Sequence, residues 1–226
     1  MRRVRMAILA AAIVIAAGAA EVAKTLTPFN GKDMTGWKLR DPAKSQWKVG
    51  TASMDPANPK LMALDPKGTE LVNLKGGCDL MTEAEFADCT ISLEFMIPKG
   101  SNSGVYPMGR YEVQIIDSFG KDADFGPGDM GVIYKTAAPV KPKFKAPGEW
   151  QTMEIVFKAP RFDAGKKTAK AKFVKVVLNG ATIHENVEVE GPTGGELGSE
   201  IAKGPLMFQG DHGPVAFRNI KITVPE

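Results

Sequence analysis

Residues 172–189 read KFVKVVLNGATIHENVEV, and this stretch decides the fold. Two segments rich in β-branched residues, 172–178 and 181–189, flank Asn179-Gly180, and Asn-Gly supplies both positive-φ positions of a type I′ turn. A hairpin is therefore expected. Working outward, residues 90–97 (TISLEFMI) alternate with period two and put Ile91, Leu93, Phe95 and Ile97 on one face. Residues 150–157 (WQTMEIVF) gather Met153, Ile155 and Phe157 in the same way, and 215–224 (VAFRNIKITV) read as a final strand with an irregularity at Arg218-Asn219. Turn-forming clusters recur at 55–60, 100–104, 126–129 and 191–198, while helical periodicity is nearly absent beyond residue 20. Short strands punctuated by turns predict an all-β protein, an antiparallel β-sandwich formed by one domain over residues 21–226.

The chain of 226 residues is 43% hydrophobic and 24% charged, which excludes collagen-like and disordered classes. Its formal charge of +3 traces to Arg2, Arg3 and Arg5; without residues 1–20 the 29 basic residues fall to 26, equal to the 26 acidic ones. Those arginines precede a run of small and apolar residues, MAILAAAIVIAAGAA at 6–20, the pattern of a cleavable signal peptide. The run falls short of the roughly 20 residues a spanning helix needs. The expectation is a periplasmic or secreted protein with no membrane span once the signal is removed. In such an oxidising compartment Cys78 and Cys89 are expected to pair, closing a loop worth about 3 kcal/mol. Six Lys and one Arg at 158–175 read as a solvated hairpin face, since no aromatic platform interleaves them to stack on bases, so no nucleic-acid partner is expected.

Nucleotide-binding, zincin and nucleophile-elbow motifs are absent from the sequence. Asp122, Asp124 and Asp129 share a loop but lack the spacing of an EF-hand, so no metal or other cofactor is expected there, although Ca²⁺ has the right ligand chemistry. The informative stretch is 101–117, SNSGVYPMGRYEVQIID. A strand starting at Arg110 puts Arg110, Glu112 and Gln114 on one polar face and Tyr111, Val113 and Ile115 on the other. Asp117, five residues beyond Glu112, joins that face only if a one-residue bulge intervenes, and two facing carboxylates are the minimum for acid/base work on a glycosidic bond. Tyr106 is placed to stack on a sugar ring. Gln209, Asp211 and His212 form a second polar group, in which His212 has the side chain suited to proton transfer near neutrality. His184 reads as a plain surface residue.

Several segments occur in a fixed order: TPFNGKDMTGW (27–37), NSGVY (102–106), RYEVQIID (110–117), GVIYKTAAP (131–139), GEWQTME (148–154), LNG (178–180) and GPLMFQGDHGPVAFRNIKI (204–222). In this the chain resembles the 3-keto-disaccharide hydrolase domain family, which has the concanavalin A-like lectin/glucanase jelly roll. The resemblance implies a carbohydrate groove on the concave sheet and action on an oligosaccharide or keto-sugar oxidised at carbon 3. A C3 ketone acidifies the C2 hydrogen, so a base can remove it and expel the C1 substituent, after which water adds. Such a path assigns Glu112 or His212 as base, Asp117 as acid and Arg110 as enolate stabiliser, with Asn102, Gln114 and Gln209 holding hydroxyls. Two alternatives stay open at this point: a retaining glucanase with Glu112 as nucleophile and Asp117 as acid, and a module of the same fold that only binds sugar.

Overall fold

The alternating segments of the sequence become strands of two sheets packed face to face. The computed structural model describes residues 23–194 and 197–225, so the expected signal segment 1–20 lies outside the described residues. In chain order the described strands are β1 (Ala23–Leu26), β2 (Trp37–Leu39), β3 (Trp47–Met54), β4 (Met62–Asn73), β5 (Leu80–Phe86), β6 (Cys89–Met96), β7 (Asn102–Tyr106) and β8 (Val113–Ile116). They continue with β9 (Gln151–Lys158), β10 (Arg161–Asp163), β11 (Lys166–Ala169), β12 (Ala171–Leu178), β13 (Ala181–Val189), β14 (Gly204–Phe208) and β15 (Val215–Pro225).

The larger sheet has the order β13-β12-β9-β6-β15-β4-β3, with β1 added against β15; the smaller runs β2-β5-β14-β7-β8, and β10 pairs with β11 as a separate hairpin. All pairings are antiparallel. The hairpin expected at 172–189 is β12–β13, with Asn179 at φ 49° and Gly180 at φ 77°, both positive as the turn requires. The irregularity expected at Arg218-Asn219 is a register shift between Arg218 and Lys221, with Asn219 at φ 54°. The fold is the antiparallel sandwich of the jelly-roll class.

Four aromatic rings tie the sheets together. Trp37 stacks on Phe208 at 5.4 Å, Phe208 on Phe217 at 3.9 Å, and Trp47 lies 6.3 Å from Phe217. Trp37 and Phe208 belong to the small sheet, Phe217 and Trp47 to the large one. Burying each phenylalanine stabilises the fold by roughly 2–3 kcal/mol, and the stack fixes the end of β14, from which Gln209 emerges.

Two expectations are corrected here. Cys78 and Cys89 are free, buried thiols. They sit beyond opposite ends of β5, whose seven residues span about 23 Å, whereas a disulfide needs α-carbons about 4.4–6.8 Å apart. Burial also pushes the Cys89 thiol up to about 12, so it stays protonated. His184 is a buried residue, 5% exposed, bound through Nε2 to the Gly131 carbonyl at 2.7 Å, and burial lowers its pKa. Its strand position alternates with Ile183, but the loop at 131–140 folds over β13 and covers it, Val140 N donating to the Ile183 carbonyl at 3.0 Å.

Candidate functional site

The pairing of the small sheet decides which residues leave its outer face. Trp37, Leu80, Val105, Val113 and Phe208 enter the core, so their chain neighbours Lys38, Asp79, Met81, Gly104, Tyr106, Glu112, Gln114, Met207 and Gln209 stand on the opposite side. Register then builds rows across the strands. Lys38 lies opposite Met81, Met81 opposite Met207 and Met207 opposite Tyr106; Gly104 lies opposite Gln114, and Gln209 N donates to the Gly104 carbonyl at 3.0 Å.

Glu112 is the centre of this face. It is 3% exposed, and its backbone is fixed on both sides: its N–H donates to Thr193 Oγ1 at 2.8 Å and its carbonyl accepts from Tyr134 N at 3.1 Å. The side chain lies across Gly104. A Cβ at Gly104 would stand 2.6 Å from Glu112 Oε1 and 2.8 Å from Tyr106 Cε2, so the glycine in mid-strand exists to let the carboxylate pass. Burial raises the Glu112 pKa to about 7, a hydrogen bond from Tyr106 and the nearby His212 pull it back, and the Asp211 and Asp79 carboxylates add to the rise. Tyr106 is 1% exposed; burial and the Glu112 carboxylate push its hydroxyl far above the ordinary range, so it keeps its proton. A ring so enclosed has no face for sugar stacking. Tyr106 is instead a hydrogen-bonding partner of Glu112, and Gln209 Nε2 donates to its oxygen at 3.3 Å.

The loop carrying Asp211 and His212 is clamped from below. Asn73 Nδ2 donates to the Gly210 and Gly213 carbonyls, each at 2.9 Å, Gly77 N donates to the Gly210 carbonyl at 2.7 Å, and Gly210 N donates to Asp79 Oδ1 at 3.1 Å. Gly210 is required where it stands, because a Cβ would meet the Cys78 carbonyl oxygen at 2.2 Å and Trp47 Nε1 at 2.8 Å. The clamp holds His212 at the open mouth of the face, with Nδ1 hydrogen-bonded to Asp211 Oδ1. Asp79 is nearly buried and also accepts from Arg40 Nη1 at 3.0 Å, which keeps that exposed guanidinium on the same face.

The structure thus brings together Glu112, Tyr106, Gln209, Asp211 and His212, with Gln114 opposite Gly104 and Asn102 flanking the loop; Asn102 N would lie 2.9 Å from a Cβ at Gly213. It separates two others. Arg110 precedes the strand, at the tip of the β7–β8 hairpin behind the 3-10 turn Pro107–Gly109. Its Nε, Nη1 and Nη2 donate to the carbonyls of Ser199, Met108 and Leu197 at 2.6, 2.8 and 3.2 Å. The guanidinium anchors the 197–200 loop and stands apart from Glu112. Asp117 is corrected too: β7 and β8 pair without a bulge, so strict alternation leaves it on the other side from Glu112. Its carboxylate caps a turn, accepting from Gly100 N at 2.8 Å and Phe119 N at 3.2 Å. In the acidic loop, Asp129 is engaged by Lys121 Nζ and Gly126 N, both at 2.6 Å, while Asp122 and Asp124 are exposed.

Asp79, Arg40 and Gly104 escaped the sequence reading. A glycine within the strand NSGVY was the readable sign of a close approach; nothing local marked Asp79 or Arg40.

A family model described as 3-keto-alpha-glucoside-1,2-lyase-like domain matches residues 24–223. The chain belongs to this family. Its fold is shared by a protein from Parabacteroides distasonis ATCC 8503 assigned as a glycosyl hydrolase, at 25% identity and TM-score 0.68, covering 88% of this chain and 82% of that one. A second such protein from the same organism matches at 21% identity and TM-score 0.61, covering 88% and 92%. No curated protein matches the chain. The 3-keto-alpha-glucoside-1,2-lyase-like family places the chain among glycosyl hydrolase-like or carbohydrate-binding domains.

Proposed function

We propose that this is an exported enzyme that cleaves the glycosidic bond of 3-keto-glycosides, 3-keto-disaccharides among them, by elimination across C1 and C2 followed by hydration. The observation that carries the reading is Glu112: a carboxylate buried on a polar sheet face, without an ion-pair partner among the described residues, whose pKa is raised to about 7. Such a group is ionised at slightly alkaline pH yet basic enough to take a carbon-bound proton. The family's description as a 1,2-lyase fits a base that works at C2.

In this scheme Glu112 takes the C2 proton that the C3 ketone has acidified, and the C1–O bond breaks. His212, oriented by Asp211 at the mouth of the face, donates a proton to the departing oxygen, the role first expected of Asp117. Negative charge developing on the C3 oxygen is met by Arg40, anchored through Asp79, where Arg110 was expected. Water then supplies hydroxyl to C1 and a proton to C2, so the sum is hydrolysis. The retaining-glucanase alternative loses its second carboxylate with the turn-capping of Asp117. Export rests on the Arg-led apolar segment at 1–20.

The test is incubation of the purified protein with a 3-keto-disaccharide and with its unoxidised parent. Cleavage of the oxidised sugar alone is expected; cleavage of both, or binding of sugar without turnover at any pH from 6 to 9, overturns the proposal.

A further inference from the structure

We infer that Gln209 is a positioning residue that acts on Glu112 through Tyr106, its amide fixing the direction in which the Tyr106 hydroxyl donates. Naming Glu112 a base rests on the function proposed above; the relay itself can be tested with no substrate present.

The geometry forms a short chain across three neighbouring segments. Gln209 follows β14, Tyr106 ends β7, and Glu112 precedes β8. Gln209 Nε2 donates to the Tyr106 oxygen at 3.3 Å, and Gln209 is 7% exposed. A phenol has a single proton. With its oxygen receiving the amide N–H, that proton is left to point at Glu112, where it favours the charged carboxylate.

The second observation is a cost the amide accepts. Gln209 Oε1 is buried and has no hydrogen-bond partner among the described residues. Turning the amide by half a rotation would satisfy this oxygen with the Tyr106 proton, but would leave the Glu112 carboxylate without that donor. A hydrogen bond to an ionised acceptor is about twice as strong as one between neutral groups, so the orientation with an orphaned oxygen is the one that serves Glu112. The backbone of Gln209 does not require the orphan: its N–H is already held by the Gly104 carbonyl, and its carbonyl accepts from Ser103 Oγ at 2.7 Å.

The charged and titratable groups that face Glu112 are Tyr106 on β7, Asp79 beside β5 with its partner Arg40, and Asp211 and His212 on the loop beyond β14. Only the first is touched by Gln209. The inference therefore makes a statement about coupling: whatever Gln209 does to Glu112 must pass through the Tyr106 hydroxyl.

The experiment is a ¹³C-carboxyl NMR titration of Glu112 in the free protein, its resonance assigned by its loss in Glu112→Gln. Tyr106→Phe is expected to raise the midpoint by about one pH unit. Gln209→Met, which keeps the length and removes both donor and acceptor, is expected to raise it by about half a unit, and to add nothing in the Tyr106→Phe background. Gln209→Glu, close to the native shape, replaces the donor by an acceptor and is expected to raise the midpoint further than Gln209→Met. An unchanged midpoint in Gln209→Met, or an equal shift with and without the Tyr106 hydroxyl, overturns the inference. Failure of every 3-keto-glycoside to turn over would sink the proposed function while leaving these midpoints as they are.

Discussion

Each sheet of the sandwich turns a polar face outward and carries a glutamate on it, and the two glutamates are treated in opposite ways. On the large sheet, a groove of about 560 Å³ is lined by Ser92, Glu94, Thr152, Glu154, Asn219 and Lys221, among others. There Glu94 receives Arg218 Nη2 at 2.7 Å, Arg218 Nε at 2.8 Å and Asn219 Nδ2 at 2.7 Å. Arg218 also lies over the Trp150 ring at 4.0 Å and reaches Glu70 at 3.3 Å. Burial opposes ionisation of Glu94, but these partners hold its pKa below the usual range. On the small sheet Glu112 is more deeply buried, has a tyrosine where Glu94 has an arginine, and is raised instead. Charge compensation distinguishes the two glutamates. A carboxylate with its partners in place has no reactivity left to offer, whereas one buried beside a phenol and two other carboxylates is poised to accept a proton.

The comparison breaks most readily at the two carboxylates. Glu112→Gln is expected to lower turnover of a 3-keto-glycoside by about 10²–10⁴-fold, while Glu94→Gln leaves kcat within about twofold of wild type; equal losses in steady-state assays would erase the distinction between the faces. Next comes pH. Glu112 holds a proton in the native state that the unfolded chain has lost between pH 4.5 and about 7. Its contribution to stability is therefore complete below pH 4.5 and disappears as pH rises through 7, about 3 kcal/mol in all. Denaturant unfolding at pH 5 and pH 8 should show Glu112→Gln abolishing that loss. Glu94 has the opposite sign, its contribution being present above the unfolded pKa and lost as pH falls.

Gly104→Ala sharpens the site side of the comparison. Its methyl group would intrude on Glu112 Oε1 and the Tyr106 ring, so a destabilisation of about 1–3 kcal/mol is expected, together with a fall in kcat larger than that of any alanine placed on the large sheet's outer face. Asp117→Asn and Arg110→Met make the smallest change to catalysis: kcat/KM at 25 °C should stay within about threefold of wild type, since neither side chain reaches Glu112. The price of Arg110→Met falls on stability, because three backbone carbonyls lose their donors.

The sandwich was legible because its signals are local. Asn179-Gly180 encodes its own turn, the alternation at 90–97 and 150–157 encodes β6 and β9, and the break at Arg218-Asn219 marks the shifted register of β15. Half of the site was legible for the same reason, since Glu112 and Gln114 sit at even positions beside the core residues Val113 and Ile115. The rest depends on what other strands contribute. Arg110 looked like part of the strand because alternation has no way to announce that a 3-10 turn precedes it. Asp117 needed a bulge that β7 does not permit. Arg40 and Asp79 enter through the pairing of β2 with β5 and of β5 with β14, a matter of long-range register. The cysteines show the limit from another side: eleven residues of sequence separation suit a disulfide loop, yet the strand β5 between them leaves both thiols free.

The account rests on Glu112 taking a proton from C2, and one measurement addresses that directly. A 3-keto-disaccharide cleaved in D₂O is expected to yield a keto-sugar carrying deuterium at C2, seen by NMR of the product, at a rate that rises through about pH 7 as Glu112 ionises and is lost in Glu112→Gln. Cleavage that leaves the original hydrogen at C2 would contradict it, because the bond would then have been broken without the proposed elimination.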